Sequence, residues 1–476
     1  MAGFSEYARY DALGLAELVA SRQVSPAEVL DAAIARTEAV NPKINAVNLK
    51  MYDEARARIA AGLPQGPFTG VPFLLKDLGA FYAGFPTSFG SAFYKDFVPR
   101  HDATLVERHR KAGLVVFGKS STPEFGLAPT TEPALFGPTR NPWNLAISAG
   151  GSSGGAAAAV AARVLPMAHA TDGGGSIRIP AAFCGLFGLK PTRARNPAGP
   201  DIGEGWSGLA SAHCISVSVR DSAALLDATH GPAPGDPYMA PPPAGSFLRE
   251  VTAAPGRLKI AVMRRSLWDR PLHAECLKGV EETAKLLIEL GHVVEEAAPT
   301  LDVAAQSWAF RVIIAANLAA NLELRAKALG RKWRPDEVEK VSWEFALEGR
   351  KVSGADYALA ILIVHAAGRQ MAAFFQRHDL LLSATMTEPP QPLGEIDMTC
   401  DSVDDYYERQ LLARMSVTPL FNMTGGPAMS VPLHWSADGL PIGIHFGTRA
   451  GDEATLFRLA GQLEQARPWA ARRPMD

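Results

Sequence analysis

The sequence is short of cysteine, of net charge and of long apolar runs, and each shortage excludes something. Four cysteines in 476 residues, with no Cys-x-x-Cys pair, offer neither a disulfide framework nor a zinc knuckle. His-Glu-x-x-His is absent and the 11 histidines show no ligand spacing, so no metal and no cofactor is expected. Lys and Arg number 47 against 49 Asp and Glu, a net charge of −2. Without an excess of phosphate-neutralising cations, a nucleic-acid partner is not expected. No unbroken apolar run approaches the roughly 18 residues that span a bilayer. The first residues also lack the basic-then-apolar pattern of a secretory signal. A cytoplasmic protein without a membrane partner is the expectation.

What is present is apolar and rich in special backbone positions. Hydrophobic residues make up 47% and charged residues 20%, with 43 glycines and 36 prolines. A large buried core is therefore available, and disorder is not expected. Ser25-Pro26-Ala27-Glu28 reads as a helix start, with a capping hydroxyl, Pro at the first turn and Glu where a capping box places it. Strands are expected at 70–75, 114–117, 258–263, 292–296, 380–383, 428–433 and 441–446. Helices are expected over about 273–290 and after Asp452, and residues 303–378 read as almost wholly helical. Strands alternate with helices along the chain without a clean linker. The expected fold is one α/β domain over 1–476, a large twisted mixed sheet covered by helices on both faces, with 303–378 as a helical cap insertion.

Three short motifs match and fail on context. Gly113-Leu-Val-Val-Phe-Gly-Lys-Ser120 fits the phosphate-loop expression, but its Leu-Val-Val-Phe interior belongs in a buried strand. Gly203-Glu-Gly-Trp-Ser-Gly208 fits a dinucleotide fingerprint, but Asn-Pro-Ala-Gly-Pro-Asp precedes it where a strand is required. Gly150-Gly-Ser-Ser-Gly154 fits the nucleophile elbow of an α/β-hydrolase-type esterase, which would use Ser152 or Ser153. Asn141-Pro-Trp-Asn is a poor preceding strand for it.

The stronger signal is a pair of glycine–serine clusters: Gly150-Gly-Ser152-Ser153-Gly-Gly155 and Asp172-Gly173-Gly174-Gly175-Ser176-Ile-Arg178. Ser152 and Ser176 lie 24 residues apart. Successive glycines let neighbouring N–H groups converge on one point, as an oxyanion hole requires. Ser176 precedes an expected helix, 177–184, whose N-terminal dipole favours negative charge. A serine nucleophile needs a base, and Lys76 leaves the apolar strand Val71-Pro-Phe-Leu-Leu75. Burial there would depress its pKa and make a neutral amine available.

Here the sequence resembles the amidase signature family. The resemblance runs through Gly150–Arg178, Gly70–Asp77, Asn41–Ala46, Gly118–Phe125, Phe136–Trp143, Gly425–Pro432 and Gly439–Gly443, nearly the whole chain apart from about 300–378. It implies a Ser–cis-Ser–Lys unit with Ser176 as nucleophile, Ser152 as the bridging serine on a cis peptide, and Lys76 as base. It also implies an oxyanion hole from the N–H groups of Gly173, Gly174, Gly175 and Ser176, supported by Ser153, Asp172 and Arg178. The Gly-Gly-Gly-Ser form is most similar to the branch holding nylon-oligomer cyclic-dimer hydrolases, aryl amidases and urethanases. Many members carry Thr or Ile where Gly173 stands, so extra room beside the hole is expected. An amidotransferase A-type subunit is the alternative within the family.

For substrate, the loop 196–211 is expected to form a rim or gate, with Trp206 as an aromatic wall and Thr130 and Thr131 as further pocket residues. Phe310, Ile313, Ile314 and Leu318 have helical spacing and suit the core. The expected substrates are aryl or hydrophobic linear amides, with carbamates and esters beside them, and a homodimer is expected.

Overall fold

In the computed structural model, which describes residues 4 and 6–474, Ser25 caps the helix Pro26–Ile44. The Glu28 N–H donates to Ser25 Oγ and the Ser25 N–H to Glu28 Oε2, closing the capping box. The remaining residues of the 1–476 domain lie outside that description.

The strands are β1 (Val47–Lys50), β2 (Pro72–Lys76), β3 (Val115–Ser120), β4 (Arg140–Asn141), β5 (Asn144–Ser148), β6 (Met167–Asp172), β7 (Phe187–Lys190), β8 (Ser211–Ser216), β9 (Lys259–Val262), β10 (Val293–Glu296), β11 (Leu380–Ala384), β12 (Ala428–Trp435) and β13 (Pro441–Gly447). Eight of them form a mixed sheet ordered β10-β9-β11-β13-β12-β7-β8-β6. Its β10-β9-β11 end is parallel and the rest antiparallel. A second sheet, β1-β3-β2, sets its edge strand β2 against β6, the edge of the large sheet. Lys76, the last residue of β2, therefore emerges where the two sheets meet. Residues 115–120 of the phosphate-loop match are the buried strand β3, not a phosphate-cradling loop.

Strands β6, β7 and β8 fall where glycine, serine and alanine obscure the pattern. Strands buried on both faces lack the polar–apolar alternation by which a half-exposed strand is read. Both β6 and β7 are buried almost throughout.

The 303–378 block consists of helices Val303–Leu329, Lys340–Gly349 and Gly354–Phe374, the first packing on the other two. Phe310, Ile313, Ile314 and Leu318 join a core cluster with Phe125, Leu127, Ile179 and Met415. A hydrogen bond to a side chain ties the block to the loop before the site, where the Glu339 backbone N–H donates to Glu124 Oε2 at 2.7 Å. Two of its helices, Val303–Leu329 and Gly354–Phe374, are long and apolar enough to cross a membrane by length and composition. An unbroken-run criterion overlooks them because scattered polar residues interrupt each. Leu359 and Leu362 on the second of these are exposed.

Candidate active site

Lys76 is wholly buried. Its Nζ lies 2.7 Å from Ser152 Oγ and 2.9 Å from Thr171 Oγ1, hydrogen bonded to both. Burial, opposed only by the charge of Asp172, depresses its pKa from 10.5 to about 7. Desolvation penalises the ammonium, so the neutral amine is accessible near neutral pH. Ser152 is 2% exposed and follows a cis Gly151–Ser152 peptide bond. Ser153 Oγ donates to the Thr171 carbonyl at 3.2 Å, holding the first glycine–serine cluster against β6.

Ser176 follows the turn after β6. Among the described residues its hydroxyl makes no hydrogen bond, to Ser152 or to any other group. It faces a cavity of about 270 Å³ that Ser152, Thr171, Gly173 and Trp206 also line. The helix after it runs Arg178–Cys184, one residue later than the spacing suggests.

Asp172 organises the turn. Its Oδ1 accepts the Gly175 N–H at 2.8 Å and its Oδ2 the Ile177 N–H at 3.1 Å. Arg178 binds it with two nitrogens, Nε to Oδ2 at 2.9 Å and Nη2 to Oδ1 at 2.8 Å. Both side chains are fully buried. Asn422, from the far end of the chain, donates to the Asp172 carbonyl and to Oδ1, each at 2.9 Å. Burial alone would raise the Asp172 carboxyl, but the Arg178 guanidinium holds it well below the usual carboxylate range. The structure corrects one expectation here: the Gly175 N–H already donates to Asp172, so it is not available to an oxyanion. The N–H groups of Gly173, Gly174 and Ser176 have no acceptor among the described residues. Gly175 has φ of +139°, and a Cβ there would lie 2.6 Å from Ile179 Cδ1, so glycine is required on both counts.

Two further expectations are corrected. Thr130 and Thr131 do not line the cavity. They brace the first glycine cluster: Thr131 Oγ1 donates to the Gly150 carbonyl at 2.9 Å and accepts the Gly154 N–H at 3.1 Å. Thr130 Oγ1 bonds Ser148 Oγ at 2.8 Å. Gly173, in turn, leaves no spare room. The Trp206 indole fills the space, and a Cβ at 173 would lie 2.7 Å from its Cε3.

Trp206 and Ser176 also line a second cavity of about 30 Å³, walled by Phe310, Ile314, Phe345, Tyr407, Leu411 and Met415. Phe310 and Ile314 therefore serve both core and pocket. Leu318 lines the larger cavity, as do Asn317 and residues of the loop 196–206. Thr171, Asn422 and His169 are site residues that the sequence motifs do not flag. Reading 167–172 as a strand would have placed His169 and Thr171 on one face.

Compared with known proteins, the chain matches a family model described as Amidase over residues 28–457. It is 39% identical over 477 residues to a 6-aminohexanoate-cyclic-dimer hydrolase of Paenarthrobacter ureafaciens, covering 98% of this chain and 96% of that one. A solved structure of a 6-aminohexanoate cyclic dimer hydrolase with substrate superposes with a TM-score of 0.93 at 38% identity, covering 98% and 99% of the two chains. A bacterial aryl acylamidase structure gives 0.89 at 29% identity, again covering 98% and 99%.

Proposed function

This chain belongs to the amidase family of amide hydrolases, and we propose that it works through a Ser–cis-Ser–Lys relay of Ser176, Ser152 and Lys76. The observation that carries the reading is the buried 2.7 Å contact between Lys76 Nζ and Ser152 Oγ, beside an unpartnered Ser176 hydroxyl in a cavity. Neutral Lys76 takes the Ser152 proton as Ser152 takes that of Ser176, and Ser176 Oγ bonds to the substrate carbonyl carbon. In the reacting complex the Ser176 hydroxyl turns onto Ser152, a contact that substrate-free geometry often leaves open. The oxygen that gains charge meets the N–H groups of Gly173, Gly174 and Ser176. As the C–N bond breaks, Ser152 returns a proton to the departing nitrogen and draws one from Lys76. Water then enters by the same relay, and its attack on the acyl-enzyme ester frees the acid and Ser176.

Apolar amides are the substrates this cavity suits, since Phe89, Phe125, Leu127, Ile202, Trp206 and Leu318 wall it. The aryl acylamidase named above supports an aryl amide, and the cyclic-dimer hydrolase supports a cyclic one as the rival. Carbamates and esters present the same carbonyl to the same donors and are proposed as further substrates. The test is turnover of an anilide, an aryl carbamate, a linear aliphatic amide and a cyclic diamide side by side. Preference for the anilide and carbamate supports the aryl reading. Turnover of the aliphatic or cyclic amide alone rejects it.

The base makes a signed prediction. Lys76 accepts a proton only when neutral, so kcat/KM should climb with pH through about 7 and level off above. A profile flat from pH 5 to 9, or falling, contradicts a lysine base.

Gly173 and Trp206 predict a coupled pair. Gly173→Ala should displace the indole and cut kcat/KM on a small anilide by roughly tenfold. In a Trp206→Ala background the same substitution should cost little, a coupling of about 1.4 kcal/mol in a double-mutant cycle. Equal losses in both backgrounds would place the two residues out of contact.

A further inference from the structure

Lys76 sits at a seam. Strand β2 has one ladder partner, β3, where Lys76 registers with Ser120. Its other edge faces β6, which among the described residues pairs only with β8. Among the described residues no ladder bridges that seam, and a buried backbone N–H without an acceptor is costly. The Lys76 N–H finds one in a side chain, donating to His169 Nδ1 at 3.2 Å. His169 is 2% exposed and lies on β6 two residues before Thr171, whose hydroxyl bonds Lys76 Nζ at 2.9 Å. Residues two apart on a strand share a face. One face of β6 thus holds Lys76 at both ends, by its backbone nitrogen and by its amine.

The ring's protonation state follows from the same bond. Nδ1 accepts an N–H, so the proton of the neutral ring is on Nε2. The groups around it agree. Burial first, then the neighbouring His109, Lys76 and His213, push His169 well below the ordinary histidine range. His109 approaches from the helix Thr104–Lys111, with ring centroids 5.7 Å apart, and His213 comes from β8. Asp172, at the end of β6, is the charge that acts on Lys76. An uncharged imidazole in the seam therefore supplies an acceptor without adding a charge next to the amine.

We infer that His169 is a positioning residue for Lys76: its imidazole stands in for the missing ladder rung between the two sheets and sets where the amine meets Ser152. The inference rests on the Ser176–Ser152–Lys76 reading and assigns His169 no contact with the reacting atoms. Without the acceptor, the end of β2 shifts, the seam admits water, and the amine regains hydration. Its pKa then moves back toward the ordinary lysine value.

The test compares His169→Asn, whose amide oxygen can replace Nδ1 as acceptor, with His169→Leu, which has none. Two readouts are taken on the full chain, with thermal unfolding measured for each variant. They are the titration of Lys76, by NMR of its labelled Cε, and the pH dependence of Ser176 phosphonylation by a fluorophosphonate. In His169→Leu the midpoint of both should rise by about one unit, leaving about fivefold less neutral amine at pH 7. His169→Asn should keep the wild-type midpoint. If leucine prevents folding, His169→Gln, with its acceptor at the Nε2 position, takes its place. An unchanged midpoint in the leucine variant overturns the inference, as do equal shifts in both variants that follow their loss of stability. If wild type and Lys76→Ala are phosphonylated alike, the relay itself fails, while the Lys76 titration still decides the role of His169.

Discussion

Ser176→Ala should lose amide turnover by a factor on the order of 10⁴ or more, because the residual rate then rests on the oxyanion donors and binding alone. Lys76→Ala and Ser152→Ala should each lose most of that factor, and the double variant Lys76→Ala/Ser152→Ala little more than either. Groups that pass one proton along a chain act as a unit, so their losses do not add. Lys76 Nζ and Ser152 Oγ touch at 2.7 Å, so removing either leaves the other with no task in the relay. Steady-state kcat/KM for the three variants and the double decides this. Additive losses, or a Ser152→Ala variant near wild type, would mean that Lys76 reaches Ser176 by another route.

The largest effect on stability is expected at Asp172. Its carboxylate neutralises a fully buried Arg178 and fixes the Gly175 and Ile177 N–H groups. Asp172→Ala strands the guanidinium, leaving His445 Nε2 at 3.0 Å and Asn422 Oδ1 at 2.7 Å as its partners. Breaking one side of a buried pair costs about 3–5 kcal/mol. The pH sign follows from the depressed carboxyl of Asp172. The contribution is present above the unfolded-state pKa and is lost as pH falls through the folded one, so it is complete at neutral pH. Urea unfolding at pH 7.5 should show the full loss. A variant within about 0.5 kcal/mol of wild type, the range of ordinary surface changes, would contradict the role given to this pair.

The residues proposed to carry the chemistry were legible in the sequence. Lys76, Ser152 and Ser176 stand in compact motifs, an apolar strand end and two glycine–serine clusters, whose composition is visible before folding. The sheet was legible where strands are Val-, Ile- and Leu-rich, as in β9 and β11. It was hidden in β6, where Ala168, His169, Ala170 and Thr171 give neither length nor alternation. What could not be read were partners brought in from afar. Asn422 reaches Asp172 across 250 positions, and Trp206 fills the space beside Gly173 only because its loop folds back over the turn. The same limit explains Gly175, since whether an N–H is free depends on where the Asp172 carboxylate lies. Thr130 and Thr131 went astray for the opposite reason. Small hydroxyls near a glycine turn brace the backbone as readily as they line a pocket.

The central claim is that Ser176 is the activated nucleophile and that Lys76, through Ser152, activates it. Peptide mapping by mass spectrometry after treatment with a fluorophosphonate tests it most directly. The account predicts one adduct, on Ser176, absent in Lys76→Ala and in Ser152→Ala. An adduct on Ser152 or Ser153, or one on Ser176 that survives loss of Lys76, would contradict it.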